Sequence, residues 1–280
     1  MKWMQFFTPV SSITWEEANT LVADNPDGDV LLLDVRQPKE YEQGHMPGAK
    51  LIPIGDLEKR LAELDADKPT VVYCAIGGRS RVAAQMLASK GFGKIYNLSG
   101  GIKAWEKKVA VGLEDTGLHL FTGKENPEEA IITGFALEAG LREFYLSMQK
   151  KVSHKSTKSL FAMLADIETL HQERLVKLYA NITGTVISVA DFAEKIAKPA
   201  MEGGLTTEEY LQLYKTDLES EMEVLGLALA IEVQALDLYL RAAEKSDHDG
   251  SKRVLLQIAE EERSHISRLS DYIDHSQDVG

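Results

Sequence analysis

Tyr73-Cys74-Ala75-Ile76-Gly77-Gly78-Arg79-Ser80 places the chain's one cysteine between a short apolar run, Thr70 to Tyr73, and a helical run, Ser80 to Lys90. A strand that ends in a glycine turn and re-enters as a helix aims backbone N–H groups and a helix N-terminus at the turn. An anion there is stabilised. The Cys74 thiol is therefore expected to ionise below the value of about 8.5 for a free cysteine, with Arg79 adding a fixed positive charge. The competing reading is a buried structural cysteine, which requires neither the glycines nor the arginine.

Outward from this loop, short apolar strands alternate with helices. Thr14 and Glu17 form a capping box ahead of a short helix. Val30 to Val35 is a continuous apolar run ending in Asp34-Val35-Arg36, as in a parallel strand buried on both faces. A Gly- and Pro-rich turn, Tyr41 to Ala49, and Leu51-Ile52-Pro53 follow. Leu57 to Leu64 is predicted as a helix, Ser80 to Lys90 as another, and Lys94 to Leu98 as a strand. This alternation predicts an α/β layer, a mostly parallel sheet with helices on both faces, whose ligands bind off the carboxyl ends of the strands, where Cys74 would lie. His45 in its Gly-His-Met-Pro-Gly turn is read as structural rather than a general base. Asp34 and Arg36 are read as a buried pair tying loops together.

Over about residues 10 to 108 these pieces resemble the rhodanese (sulfurtransferase) domain. The resemblance rests on Asp34-Val35-Arg36, Glu40-Tyr41-Glu42 followed by Gly44-His45-Met46-Pro47-Gly48-Ala49, Cys74-x-x-Gly77-x-Arg79-Ser80, and Gly100-Gly101-x-x-Ala104-Trp105. It implies that Cys74 is catalytic and carries a persulfide between a sulfur donor and a thiophilic acceptor. The loop Ala75, Ile76, Gly77, Gly78, Arg79 and Ser80 would cradle the outer sulfur, with Arg79 binding an anionic donor. Cysteine phosphatases that resemble this fold place five residues between Cys and Arg. Here there are four, a loop sized for a sulfur atom rather than a phosphate.

The charge is placed unevenly. Residues 1–110 carry 14 Lys and Arg against 14 Asp and Glu, so the remaining 17 against 30 supply the whole net charge of −13. Such a surface makes nucleic acid an unfavourable partner. No apolar run reaches the roughly 18 to 20 residues that span a bilayer, and Met1 to Val10 lacks the apolar core of a secretion signal. No membrane partner is expected and the location is read as cytoplasmic, which a single unpaired cysteine fits. The length suggests two domains, read as 1–110, a Gly-containing linker 111–125, and 126–280.

Asn126-Pro127-Glu128-Glu129 opens the second half with an N-cap, a proline at the first helical position and acidic residues in the first turn. Helices are predicted over about residues 127–153, 156–182, 206–245 and 249–275. The first and last connections are short. The middle one, 183–205, is long and contains Lys198-Pro199 and Gly203-Gly204. Short, long, short is the connectivity of an all-α ferritin-like four-helix bundle.

A repeat runs through it. Glu138, Tyr145, Glu168 and His171 recur 94 residues later as Glu232, Tyr239, Glu262 and His265. Glu-x-x-His puts a carboxylate and an imidazole on one helix face, one turn apart. Two such helices and a glutamate from each of the others supply four carboxylates and two imidazoles, a ligand set for two iron ions per chain, with manganese or zinc as alternatives. Taken singly, Glu138 or Glu262 has a bland reading as solvated, and His171 as a satisfied core histidine.

Residues 125–275 resemble the rubrerythrin and ferritin-like diiron family. The resemblance implies that Glu138, Glu168, Glu232 and Glu262 share bridging and terminal roles, and that His171 and His265 each cap one metal. Tyr145 and Tyr239 would be nearby hydrogen-bond partners or core. Two departures stand out: Ala235 occupies the position where many rubrerythrins carry a further ligand glutamate, and their four-cysteine iron module has no counterpart. Electrons would then come from an external donor. Glu261 is an alternative to Glu262, which the repeat favours.

The leading expectation is a sulfurtransferase, taking a small-molecule sulfur donor and acceptor, fused to a diiron oxidoreductase that reduces peroxide or oxygen. The alternatives are a metal-storage or redox-sensing module with a sulfur-binding adaptor, and a bundle serving mainly as a dimerisation scaffold. A homodimer is expected in each case.

Overall fold

The computed structural model describes residues 9–25, 29–105, 109–194 and 207–277. It divides into two compact units, Met1–Glu114 and Asp115–Gly280. Lys198-Pro199, Gly203-Gly204 and Lys107-Lys108 lie outside the described residues.

In the first unit the chain runs β1 (Ser11–Ile13), α1 (Trp15–Ala23), β2 (Leu31–Asp34), α2 (Pro38–Glu42), β3 (Lys50–Leu51), β4 (Thr70–Tyr73), α3 (Gly78–Ser89) and β5 (Ile95–Leu98). The strands form one sheet in the order β1-β5-β4-β2-β3, with every pairing parallel. β4 lies at the centre and is buried along its whole length, which is why Thr-Val-Val-Tyr reads as a continuous β-branched and apolar run. Its side chains alternate between two cores. Val72 and Cys74 pack with Ala83, Ala84 and Leu87 of α3, and Val71 and Tyr73 with Ala18 and Val22 of α1 and Tyr41 of α2. The capping box of α1 is present, with the Thr14 N–H donating to Glu17 Oε2 at 2.8 Å and Thr14 Oγ1 accepting from the Glu17 N–H at 3.3 Å.

Leu57 to Leu64 is not the expected helix. Turns close it through three-residue bonds such as Glu63 N–H to Arg60 O and Leu64 N–H to Leu61 O, with one 3₁₀ turn at Leu61–Glu63. Leu57 and Leu64 are buried, so the apolar spacing that suggested a helix is met by tighter winding, where residues three apart eclipse and Arg60 pairs with Glu63.

The second unit is mostly helical. α4 (Pro127–Lys151) and α5 (Lys155–Thr183) form one hairpin; α6 (Val189–Ala193) and α7 (Thr207–Tyr214) lie in the middle connection; α8 (Glu221–Lys245) and α9 (Asp249–Gln277) form the other hairpin. Asn126 caps α4 as its sequence signals, its Oδ1 accepting from the Glu129 N–H at 3.0 Å. The expected 206–245 helix is two helices. Lys215 takes a positive φ of 46°, the Asp217 N–H bonds Glu223, and Ser220 caps α8. Asp and Ser side chains that satisfy backbone groups compete with helix here, and the competition ends α7. Phe192 of α6 is fully buried, its ring centroid 5.0 Å from that of Phe135 on α4 and 4.9 Å from that of Tyr179 on α5.

The segment read as a linker is tied down on each side of residue 114. Gly112 N–H bonds Glu42 O and Leu51 N–H bonds Glu114 in the first unit. Phe121 is fully buried against Tyr239 in the second.

The turn after β5 holds the Cys74 loop. Ile102 N–H donates to Cys74 O at 2.9 Å and Lys103 N–H to Ala75 O at 3.3 Å. A Cβ on Gly101 would sit 2.3 Å from Cys74 O, at a φ of +60°. Gly101→Ala is therefore expected to destabilise the first unit by roughly 3 kcal/mol or more. All three tryptophans precede residue 110, so urea unfolding followed by tryptophan fluorescence reads that unit alone. A loss under about 1 kcal/mol would mean that the loop yields instead.

Candidate functional site

Cys74 leaves β4 almost fully buried, with its sulfur turned back toward the N-terminus of α3. Gly77, in the left-handed region at φ +97°, supplies an N–H 3.2 Å from Cys74 Sγ. Ser80 Oγ lies 3.5 Å from the sulfur and donates at 2.7 Å to Asn97 Oδ1 on β5. That hydroxyl has one proton, so the shorter bond holds it while the sulfur is a thiol; a thiolate is the stronger acceptor and competes for it. Burial pushes the Cys74 thiol up, but the Ser80 hydroxyl and the N–H groups of Ser80, Ile76 and Gly77 outweigh it, and the thiol is held below its ordinary value.

Arg79 acts on Cys74 as expected of a nearby cation, but it is not free. Its guanidinium is engaged bidentately by Glu40, NH1 to Oε2 at 2.8 Å and NH2 to Oε1 at 2.7 Å. The Ser80 hydroxyl and backbone amides supply the largest part of the anion stabilisation at the sulfur, and Arg79 adds to it as a cation already paired with Glu40. Of the expected cradle, the N–H groups of Ile76, Gly77 and Ser80 act on the sulfur, while the Ile76 side chain is 67% exposed.

Asp34 and Arg36 are the buried pair expected of them. Arg36 forks onto the Asp34 carboxylate at 2.7–3.0 Å and also donates to Gly44 O. His45 is fully buried, stacked on Tyr41 at 3.8 Å, with Nδ1 3.0 Å from Tyr41 O. A carbonyl only accepts, so Nδ1 carries the proton, and the ring braces the turn.

Sequence reading did not single out Asn97 or the role of Glu40. Asn97 had a signal, as a polar residue at an inward position of the Ile-Tyr-Asn-Leu strand, which requires a buried partner. Glu40 had none, because its partner lies 39 residues away and only the sheet topology brings them together.

In the helical unit the repeat converges. Glu138 projects from α4, Glu168 and His171 from α5, Glu232 from α8, and Glu262 and His265 from α9, all buried. They form two triads, Glu138/Glu168/His171 and Glu232/Glu262/His265, each with candidate ligand atoms within 4.8 Å of one another. The i, i+3 spacing of α5 and α9 puts His171 Nδ1 2.9 Å from Glu168 Oε2 and His265 Nδ1 3.5 Å from Glu262 Oε2. Glu138 and Glu232 complete the triads at 3.2 and 3.8 Å from those nitrogens. The imidazoles stack with centroids 3.7 Å apart, so the triads adjoin.

The electrostatics are those of charges lacking compensation. Burial pushes Glu168 well above the ordinary carboxylate value, reinforced by the charges of Glu138 and Glu232. Burial works to lower His171, but Glu138 and Glu168 lift it to about 11. Glu232 is buried too, yet its interactions with Glu262 and His265 hold it at about 2. Glu168 Oε1 and His171 Nε2 are buried without a hydrogen-bond partner. Oxygen-rich triads with imidazole and orphaned polar atoms fit a pair of divalent transition metals, for which carboxylate and imidazole are preferred donors. Tyr145 and Tyr239 are fully buried among aromatic neighbours. Glu261 is only partly buried, and Ala235 is fully buried.

Comparison with known proteins assigns both units. The rhodanese-like domain family matches residues 17–108, and the rubrerythrin family matches residues 223–278, which hold Glu232, Glu262 and His265. YqhL of Bacillus subtilis is 47% identical over 78 residues, covering 28% of this chain and 62% of that protein. A sulfurtransferase of Allochromatium vinosum is 39% identical over 98 residues, covering 35% of this chain and 90% of that protein. The chain thus spans less than two thirds of YqhL. Among solved structures, a rhodanese-like domain protein of Staphylococcus aureus is 31% identical, with coverage of 36% of this chain and 98% of that one and a TM-score of 0.33. A rhodanese-related protein of Thermoplasma volcanium is 32% identical, with 34% and 89% coverage and a TM-score of 0.31. The chain therefore belongs to the rhodanese-like family through its α/β unit and carries a rubrerythrin domain in its helical one.

Proposed function

We propose that this protein is a sulfurtransferase that carries a persulfide on Cys74, fused to a non-haem diiron oxidoreductase that reduces peroxide or oxygen. For the first half, the carrying observation is the amide-lined Cys74 sulfur in a four-residue loop. For the second, it is the adjoining pair of Glu/Glu/His triads.

In the sulfur half, the Cys74 thiolate attacks the outer sulfur of a donor. The donor's S–S bond breaks, its electron pair leaves with sulfite or a thiolate, and Cys74 is left as a persulfide. The N–H groups of Ile76, Gly77 and Ser80 stabilise negative charge before and after transfer, and a thiophilic acceptor then takes the outer sulfur.

In the helical half, Glu138, Glu168 and His171 would hold one iron and Glu232, Glu262 and His265 the other. Such a pair, when bound, supplies one-electron redox steps and a site for oxygen ligands. The buried helices exclude bulk water, and an external donor provides two electrons for each peroxide reduced to water. The alternative of storage or sensing draws on Ala235, which leaves the site without the additional carboxylate of many rubrerythrins. Stopped-flow reoxidation of the reduced protein by peroxide separates the two: oxidation within seconds supports turnover, and none over many minutes supports storage.

No described helix is long and apolar enough to cross a membrane. We place the protein in the cytoplasm as a homodimer, with domains at 1–110 and 126–280.

The Cys74 thiolate persists down to lower pH than that of a free cysteine. Its alkylation by iodoacetamide should rise with pH to a midpoint below the value of about 8.5 for a free cysteine, and Ser80→Ala should move that midpoint upward. An unshifted midpoint in the variant would remove Ser80 from the stabilising set. Cys74→Ala should abolish sulfur transfer from thiosulfate or glutathione persulfide while leaving metal content unchanged; retained transfer would overturn the first half of the proposal.

Purified protein should hold about two irons per chain, and Glu168→Gln should lose at least one. Without metal, burial drives Glu168 toward its neutral acid, which glutamine replaces at the same size and charge, so the metal-free variant should melt no lower than metal-free wild type. A melting temperature depressed by more than about 5 °C with metal content intact would instead mark Glu168 as purely structural.

A further inference from the structure

The sulfur loop's one guanidinium is already neutralised before any donor arrives. Arg79 and Glu40 face each other in a bidentate pair, each about a third exposed, with side-chain exposures of 36% and 35%. The Arg79 hydrogen bonds hold the Glu40 carboxyl down to about 2, so Glu40 is a carboxylate throughout the working range. Arg36, the other cation acting on Glu40, is itself occupied by Asp34. Cys74 is among the groups that hold Arg79 in its charged form, so this pair stands beside the reacting sulfur. A donor approaching Cys74 meets a dipole of zero net charge whose guanidinium and carboxylate are equally exposed.

On the reading of Cys74 as a persulfide carrier, we propose that Glu40 is a specificity-determining residue that turns the site away from small dianionic donors and toward thiol persulfides. Two donor classes compete for the same attack. With thiosulfate, the thiolate takes the outer sulfur, the S–S bond breaks and sulfite leaves with two negative charges. With a thiol persulfide, the same bond breaks and a monoanionic thiolate leaves. A dianion needs an available guanidinium and is repelled by the carboxylate beside it. A thiol persulfide brings at most one charge at its reacting end, with an organic body that offers other contacts, and depends less on either. A pair this exposed contributes little to stability, and the cap on the Gln37 N–H needs only an acceptor oxygen, so the negative charge of Glu40 acts chiefly on what approaches Arg79.

Glu40→Gln isolates the charge. The glutamine oxygen can still accept from the Gln37 N–H, as Glu40 Oε2 does at 3.1 Å, so the first turn of α2 keeps its cap. Two measurements on the full chain decide the matter. In the first, sulfate serves as an inert dianion of the charge of thiosulfate, and its protection of Cys74 against iodoacetamide is titrated without any turnover. Glu40→Gln should bind sulfate at least about tenfold more tightly than wild type, whereas Glu40→Asp, which keeps the charge, should stay within about threefold of it. In the second, kcat/KM is measured for thiosulfate and for glutathione persulfide with cyanide as acceptor, and the thiosulfate-to-persulfide ratio should rise at least about tenfold in Glu40→Gln. Unchanged or weakened sulfate protection, or a fall in transfer shared equally by both donors, overturns the inference and reduces Glu40 to a support for Arg79. Failure of wild type to transfer sulfur from either donor overturns the persulfide reading, and the sulfate titration then decides the role of Glu40 by itself.

Discussion

A carboxylate taken out of water must find a proton, a counter-charge or a metal, and the helical half of this protein buries four of them beside two imidazoles. Two helical hairpins each contribute one isolated glutamate and one Glu-x-x-His turn, and the stacking of His171 on His265 joins them. Apolar packing around Phe144, Phe161, Leu164, Val224 and Ile231 supplies the favourable term that lets the bundle tolerate this. The elevated Glu168 and His171 and the depressed Glu232 are three local answers to one shortage of positive charge.

The α/β half handles a negative charge differently. At Cys74 the stabilisation comes from backbone dipoles and one hydroxyl, and the nearby formal charges are tied up in pairs, Arg36 with Asp34 and Arg79 with Glu40. A thiolate held by dipoles can move between thiol, thiolate and persulfide with little change in its surroundings. A thiolate locked to a free arginine would bind its first anion tightly and release it slowly. The two halves thus carry different solutions to buried charge, each suited to its proposed chemistry: fixed polar N–H groups for a sulfur atom that comes and goes, and oxygen and nitrogen ligands for metals that stay.

Much of this was legible in the sequence because it rests on local spacing. The alternation of strand and helix, the caps at Thr14 and Asn126, and the 94-residue repeat each encode their structure within one or two turns of chain. The six-residue convergence followed from the repeat alone, since Glu-x-x-His fixes a helix face and a bundle has only one interior. What was hidden depended on competition or on distance. The break between Tyr214 and Glu221 arises because Asp217 and Ser220 satisfy backbone groups that helix would otherwise use. The tight turns between Leu57 and Leu64 bury these two leucines, which an α-helix would have put on one face. The partner of Arg79 could not be read at all, because Glu40 reaches it only through the order β4-β2 in the sheet. An arginine beside a cysteine is legible as a nearby charge, and its pairing with Glu40 is a property of the fold.

The two hydrogen bonds from Ile102 and Lys103 to the Cys74 loop, with Gly101 wedged against Cys74 O, have a kinetic consequence. A loop clamped by its carbonyls cannot swing out to meet a donor or follow a departing acceptor. In the proposed sulfur transfer the motion would then belong to the molecules that visit the loop. Transfer should be favoured by acceptors whose sulfur-seeking group sits on a slender, extended arm and disfavoured when that group lies in a recess, so that reach, rather than intrinsic nucleophilicity, would sort the partners of this protein.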